Sequence, residues 1–214
     1  MSERLAPVPF EGLSSADLTV GRVYRGGPQP HVGADPLHKL TGVGNSGGFR
    51  MKTVKGTKRV ALCVLFTTGA VSEWPDGWAE DGNYVYYGDQ REAGKDVLDT
   101  PRKGNQLLAA VAAQVKRGVA GRRNVPPFLL FEKDSPGKGR DVRFEGLLVP
   151  ASDPSWLQVH RQTHPDGLLA NYRALFRPLQ VRDLSRLWLN DVIHGHSDGS
   201  SAPRAWLDWI STGD

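Results

Sequence analysis

The sequence predicts a mixed α+β fold, in which a curled and mainly antiparallel β-barrel carries flanking helices. Three observations support this class. The chain has 214 residues, of which 39% are hydrophobic, so it can bury a sizeable core. Its 25 glycines and 15 prolines gather in short clusters such as RGGPQP and GVGNSGG, which separate short apolar runs as turns separate strands. Helical spacing of apolar residues is clear in two segments.

Six apolar runs predict strands in this order along the chain: residues 18–25, 58–66, 83–88, 127–133, 142–150 and 171–179. The single cysteine, Cys63, lies inside the second run and is expected to be a buried, reduced thiol. No secretory signal is visible at the N-terminus, and no apolar run approaches the length of a membrane span. We therefore expect a cytoplasmic protein without membrane contact.

The two predicted helices span residues 98–118 and 181–193. In the first, Asn105 is the candidate N-cap and Gly118 the candidate stop. In the second, one face is expected to bury four apolar side chains, Leu184, Leu187, Trp188 and Val192. We expect residues 1–150 to form one domain and residues 151–214 to form a strand-helix extension packed on it.

The net charge is +4, and its distribution is more informative than its size. The segments MKTVKGTKR (51–59) and VKRGVAGRR (115–123) each hold four cations and no anion. Two uncompensated basic stretches favour a surface that contacts phosphates over random scatter.

Aromatic residues and carboxylates gather between residues 72 and 88. The segment SEWPDGWAEDG contains Trp74, Asp76 and Asp81, and NYVYYG follows it directly. Because alternate residues of a strand face opposite sides, one face receives Tyr84 and Tyr86 while the other receives Tyr87. Facing aromatic rings can sandwich a flat base, and a carboxylate at the edge can accept hydrogen bonds from its amino group. The alternative is that the tryptophans simply pack on neighbouring apolar residues.

Five segments in the same order resemble the SRA (SET and RING-associated) domain, especially the SRA-like modules of modification-dependent restriction endonucleases of the MspJI and McrA-like HNH types. They are GRVYRGG, HKLTGVGNSGGFR, VLFTTGAVSEWPDGWAEDGNYVYYGDQ, LDTPRKGNQLLAA and PPFLLFEKDSPGKGRDVRFEGLLVP, within residues 18–150. The resemblance implies an SRA/PUA-like barrel that flips a modified cytosine, such as 5-methylcytosine, out of double-stranded DNA. It also implies a recognition module of a bacterial type IV restriction system, whose nuclease domain lies outside these residues.

The resemblance carries over to individual positions. Trp74 lies at a stacking aromatic and Tyr86 at the tyrosine of the Y-x-G motif, with Gly88 as its glycine. Asp76 is the nearest carboxylate to the aspartate that contacts the Watson–Crick edge of the base, while Asp81 and Tyr87 are competing candidates. The finger-loop segment, the first basic stretch and the loop 91–104 give the expected DNA contacts: His38, Lys39, Thr41, Asn45, Ser46, Arg50, Lys52, Lys55, Lys58, Arg91, Lys95, Arg102 and Lys103.

Catalytic chemistry is not evident in the sequence. The segment VHRQTH (159–164) has histidines four residues apart but lacks the glutamate of a zinc-protease helix. We therefore expect no catalytic residues, no cofactor and no bound metal. Two alternatives stay open, a metal-dependent nucleic-acid enzyme that uses its six histidines and an RNA-binding barrel of the PUA or ASCH type. The sequence leaves open whether 5-methyl-, 5-hydroxymethyl- or larger cytosine modifications are preferred.

Overall fold

The chain packs as two compact units in a computed structural model that describes residues 5–28, 32–69, 74–134 and 139–214. Each unit is built from three separate stretches. The first contains residues 1–68, 126–148 and 179–207, and the second contains residues 69–125, 149–178 and 208–214. The boundary expected at residue 150 stays a prediction.

The described strands and helices follow the glycine and proline punctuation of the sequence. The strands are β1 (Leu18–Thr19), β2 (Val23–Tyr24), β3 (Phe49–Thr53), β4 (Val60–Thr67), β5 (Gly77–Trp78), β6 (Tyr84–Tyr87), β7 (Phe128–Lys133), β8 (Val142–Pro150), β9 (Leu157–His164), β10 (Gly167–Pro178) and β11 (Asp183–Leu184). The helices are α1 (Pro36–Thr41), α2 (Gly104–Val115), α3 (Val119–Arg122), α4 (Arg186–Ile193) and α5 (Arg204–Thr212), with 3-10 turns at Phe10–Ser15 and Val32–Ala34.

The sheet of the first unit is centred on β4. Strand β4 pairs with β3 on one side and, in parallel, with β7 on the other, and β8 pairs with both β7 and β2. A central strand is covered on both faces, which explains the unbroken apolar run ALCVLF. Cys63 is fully buried there, as predicted. Beside this sheet, β1 and β11 form a separate two-stranded ladder.

The sheet of the second unit has the strand order β9-β10-β6-β5, and all its pairs are antiparallel. The α+β class with flanking helices is confirmed, but the predicted barrel is wrong. In the parts of the chain that the structure describes, the strands of each unit form an open order and do not return to close on themselves. The second sheet ends on β9, an edge strand that pairs with β10 alone.

The helix boundaries differ from the predictions for local reasons. Helix α2 begins at Gly104, because residues 98–103 form turns. Its first amides are accepted by the carboxylate of Asp89, with 2.9 Å to the nitrogens of both Gly104 and Asn105. Asn105 therefore lies inside the helix and is not its cap.

Helix α4 begins at Arg186 after its cap, Ser185, and is shorter than predicted. The residues before it form β11, whose Leu184 pairs with Leu18 of β1. Trp188 and Val192 are buried as expected, but Leu187 is 64% exposed. No described helix is long and apolar enough to cross a membrane.

Candidate functional site

Strand β6 places its tyrosines on two different faces. Tyr84 and Tyr86 are both buried, Tyr86 with 2% exposure, and the two rings lie 6.4 Å apart. Tyr84 also meets the ring of Trp78 from β5 at 5.0 Å. Tyr87 is half-buried on the opposite face. Tyr87, which directly precedes Gly88, is therefore the tyrosine of β6 whose ring lies outside this buried pair.

Tyr87 belongs to a cluster of three rings, called here the aromatic cluster, which consists of Trp74, Tyr87 and His160. The ring centroids of Trp74 and Tyr87 lie 5.3 Å apart with a tilt of 41°. His160 meets both rings nearly at right angles, at 5.6 Å from Trp74 and 5.8 Å from Tyr87. Trp74 is only 4% exposed, whereas His160 is exposed.

Asp76 lies beside the aromatic cluster. Its Oδ1 accepts the backbone N–H of Tyr87 at 2.9 Å, which fixes the carboxyl group against the backbone of that residue.

The competing carboxylate, Asp81, has a different local role. It accepts both the backbone and the side-chain N–H of Asn83, at 3.0 and 2.8 Å, and so closes the turn between β5 and β6. These hydrogen bonds from Asn83 lower the pKa of Asp81. The assignment of either aspartate to a base stays a prediction, but Asp76 is the one in contact with Tyr87.

Gly88 is packed against two buried asparagines. A Cβ added at this position would lie 1.8 Å from Oδ1 of Asn105 and 2.3 Å from Oδ1 of Asn171. The amide of Gly88 donates to the carbonyl of Tyr172, and its carbonyl accepts the side-chain amide of Asn171. The glycine is therefore required by close packing, and its amide is already used in the sheet.

The two asparagines and Gln90 form a buried hydrogen-bonded group, called here the amide network. The side-chain nitrogen of Asn105 donates to Oδ1 of Asn171, and Oδ1 of Asn105 accepts the backbone N–H of Asp89. Gln90 donates to the carbonyls of Asp96 and Asp99. The network thus joins the strand that carries Tyr87 to the loop 91–103.

The four predicted DNA contacts in this loop differ in their surroundings. Arg91 donates to the carbonyls of Gly88 and Gln90, so it holds the base of the loop. Lys95 pairs with Glu92 at 2.7 Å, and this contact raises the pKa of Lys95. Arg102 and Lys103 are exposed just before α2.

Some of the predicted contacts in the first unit are engaged within the protein. Arg50 is 8% exposed and pairs with Asp35 at 2.8 Å. Thr41 is buried and donates to the carbonyl of Leu37. His38 shares a hydrogen bond with the carbonyl of Val43 through Nδ1.

The other predicted contacts in this unit lie nearer to solvent. Lys39 is placed over the ring of Phe10, 4.0 Å from its centroid, and Lys52 is half-buried on β3. The remaining four predicted contacts are exposed: Asn45, Ser46, Lys55 and Lys58. The DNA contacts of all these residues stay predictions, and the exposed lysines are the best placed for phosphate.

The sequence pattern did not predict that His160 lies near the aromatic residues. The histidine spacing in VHRQTH is that of two metal ligands on a helix, but the segment forms most of β9, whose pairing with β10 brings His160 beside Tyr87. After Val159 this segment is polar throughout, so the sequence contained no burial pattern that could have indicated its neighbours. Within residues 5–28, 32–69, 74–134 and 139–214, no group of three or more His, Cys, Asp or Glu side chains is arranged to hold a metal ion.

Comparison with known proteins gives consistent matches. A family model described as the N-terminal part of restriction endonuclease AspBHI matches residues 18–214. The solved DNA recognition domain of the cytosine modification-dependent restriction endonuclease LpnPI is 31% identical, with a TM-score of 0.84 over 99% of this chain and 95% of that one. The DNA modification-dependent restriction endonuclease AspBHI is 38% identical, with a TM-score of 0.86 over 98% of this chain and 54% of that one.

A third solved structure is similar in fold. MspJI restriction endonuclease, in complex with a 27-mer oligonucleotide, is 19% identical and has a TM-score of 0.70 over 91% of this chain and 51% of that one. Comparison with curated protein sequences gives no significant match. The chain therefore spans about half the length of AspBHI and MspJI and nearly all of the LpnPI recognition domain.

Proposed function

The chain belongs to the family of AspBHI-type N-terminal domains of restriction endonucleases, and from this membership we propose that it recognises modified cytosine in double-stranded DNA. It is the recognition module of a type IV modification-dependent restriction system in the bacterial cytoplasm. The nuclease that cuts the recognised DNA is a part of the protein outside these residues. One observation carries the assignment of the site, namely that Trp74, Tyr87 and Asp76 lie together in a single unit.

Recognition proceeds by flipping the modified base out of the duplex into the aromatic cluster. A flat ring needs about 3.5 Å on each side, so a base between Trp74 and Tyr87 requires about 7 Å between their planes. The two centroids are 5.3 Å apart and the rings are tilted by 41°, so when a base enters the rings separate by about 2 Å and also turn towards a parallel arrangement. Stacking on each aromatic side chain contributes about 1–3 kcal/mol, which offsets the cost of unstacking the base.

Asp76 reads the Watson–Crick edge of the flipped base. Cytosine presents an amino donor at N4, and a carboxylate accepts it. Thymine has the same 5-methyl group as 5-methylcytosine but presents a carbonyl at this position, so two acceptors would face each other. Asp76 thereby keeps the site from binding the thymines of ordinary DNA.

Affinity that does not depend on sequence comes from phosphate contacts. They are made by Lys55 and Lys58 in the first unit and by Arg102 and Lys103 in the second, all four of which are exposed. Such contacts fix the position of the protein on the duplex but do not distinguish modified from unmodified bases.

The test is binding to identical duplexes that carry cytosine or 5-methylcytosine at one position. Tighter binding to the methylated duplex is expected, and Trp74→Ala or Tyr87→Ala is expected to remove about 1–3 kcal/mol of that binding. Tyr86→Leu is the control, because it removes the ring that lies buried on the other face. Equal binding of the two duplexes by the wild-type protein would refute the proposal. A loss of binding to the methylated duplex in a folded Tyr86→Leu protein as large as that in Tyr87→Ala would return the stacking role to Tyr86.

Asp76→Asn tests the edge contact separately. Asparagine keeps an oxygen for the N–H of Tyr87 but offers the base a donor as well as an acceptor. It is expected to weaken 5-methylcytosine binding about tenfold and to narrow the difference from a mispaired thymine. Asp81→Asn serves as the control, and loss of discrimination only in that variant would transfer the role to Asp81.

A further inference from the structure

Asp76 and His160 approach Tyr87 from opposite sides of strand β6. In the order β9-β10-β6-β5, the amide of Tyr87 points towards the β5 side and donates to Asp76. The next amide, that of Gly88, points the other way and donates to Tyr172 of β10. His160 lies on β9, two strands from β6 and about 10 Å across the sheet.

This arrangement orients a cytosine that occupies the aromatic cluster. Its Watson–Crick edge turns towards Asp76 on the β5 side, and its opposite C5–C6 edge therefore turns towards β9. His160 is in ring contact with both Trp74 and Tyr87, so a base held by either ring lies within reach of the imidazole. We propose that His160 contacts the substituent at position 5 of the flipped cytosine and selects which modification is accepted. This inference rests on the proposed function.

The chemistry of imidazole indicates which substituents fit. Its carbon edge gives van der Waals contact to a methyl group, and its nitrogens can donate to or accept from a hydroxyl. No residue in the described part of the chain hydrogen-bonds to the His160 ring, whereas the rings of His38, His164 and His194 each have a partner. His160 is also exposed, which leaves room for one more polar atom. The site accordingly accepts 5-hydroxymethylcytosine as well as 5-methylcytosine.

Two substitutions test the contribution of the His160 ring and that of its nitrogens separately. His160→Phe keeps an aromatic edge against Trp74 and Tyr87 but has no hydrogen-bonding atom. His160→Gln keeps a donor and an acceptor but has no ring. His164→Phe is the matched control, since it makes the same change four residues along the same strand and outside the aromatic cluster.

The experiment measures the affinity of each protein for three duplexes that differ at one position, with cytosine, 5-methylcytosine or 5-hydroxymethylcytosine. The wild-type protein is expected to bind both modified duplexes within about tenfold of each other. His160→Phe is expected to weaken 5-hydroxymethylcytosine binding about threefold to tenfold relative to 5-methylcytosine, the effect of one hydrogen bond. His160→Gln is expected to weaken both but to keep their ratio within about twofold of wild type, and His164→Phe is expected to leave the ratio unchanged.

The outcomes distinguish this inference from the function on which it rests. If the wild-type protein binds all three duplexes equally, the proposed function itself fails. If it prefers 5-methylcytosine but His160→Phe leaves the ratio unchanged, or alters it no more than His164→Phe does, the role of His160 is refuted and the proposed function stands. Rejection of 5-hydroxymethylcytosine by about a hundredfold in the wild-type protein would also overturn the inference.

Discussion

Replacement of Gly88 by alanine tests whether the amide network is as tightly packed as its geometry indicates. The added Cβ would lie 1.8 Å from Oδ1 of Asn105 and 2.3 Å from Oδ1 of Asn171, where real Cβ atoms keep at least 3.0 Å. Both amides would therefore have to move, by about 1.2 and 0.7 Å if each moves straight away from the new carbon. Asn105 would then lose the N–H of Asp89, and Asn171 would lose the N–H of Gln90.

The size of the effect follows from these losses. Each buried polar group left without a partner costs about 1–3 kcal/mol, and overpacking adds about 1–3 kcal/mol. We expect Gly88→Ala to lower the free energy of unfolding by about 3–5 kcal/mol. Gly77→Ala is the matched control in the same sheet, because nothing lies within 4 Å of its added Cβ, and it is expected to change stability by less than about 1 kcal/mol.

Urea denaturation followed by tryptophan fluorescence measures both variants. The double variant Gly88→Ala with Asn105→Ala adds a sharper criterion, because the smaller side chain removes the oxygen that the new Cβ meets first. Its destabilisation is expected to be less than the sum of the two single effects. Equal stability of Gly88→Ala and Gly77→Ala, or strict additivity in the double variant, would refute the proposed packing.

Three other predictions concern stability and salt dependence. Burial raises the pKa of Tyr24 above its usual value near 10, and its hydroxyl accepts the N–H of Thr19. Tyr24→Phe should therefore cost about 1–2 kcal/mol at neutral pH, and this advantage of the wild-type protein should shrink in urea titrations above about pH 10, where the unfolded tyrosine ionises. Replacing Lys55 and Lys58 by glutamine should reduce the log–log salt slope of DNA binding by up to about 1.8, with little change in the ratio of methylated to unmodified binding. The buried hydroxyl of Thr100 has no hydrogen-bond partner among the described residues. Thr100→Val should therefore raise the free energy of unfolding by about 1 kcal/mol, as measured by urea titration at neutral pH.

The apolar strands could be predicted from the sequence, because a strand that is buried on both faces needs an unbroken run of apolar residues. The run ALCVLF identified the central strand β4, and the spacing of Leu107, Leu108 and Val111 identified α2. The start of α2 was missed because its capping group, Asp89, lies fifteen residues before Gly104 and belongs to another segment. Closure of the barrel was predicted wrongly, because closure depends on the pairing of edge strands, which hydrophobic patterning does not encode.

For the candidate site, the sequence indicated residue types more reliably than their arrangement. Alternation within NYVYYG placed Tyr86 and Tyr87 on opposite faces but did not say which face lies beside Trp74. The ring contact between Trp74 and Tyr87 provides that information. The position of His160 was harder to foresee, because it depends on the pairing of β9 with a strand that itself pairs with β6. A polar edge strand has no buried face, so its register leaves little trace in composition.

The charges around the aromatic cluster explain why affinity and selectivity should be separable in this protein. In the proposed binding mode, Asp76 brings a carboxylate to the place where the base enters, and Asp81 adds another in the adjoining turn. Both would repel the phosphates of a duplex, so the site by itself would oppose DNA that offers no base to bind. Attraction must then come from cations elsewhere, such as Arg102 and Lys103, and it is the same for every sequence. In the proposed mode, discrimination arises only when a flipped cytosine donates its N4 amino hydrogen to the carboxylate of Asp76. Rising salt should therefore weaken binding to methylated and unmodified duplexes in parallel, while substitutions in the aromatic cluster should change their ratio.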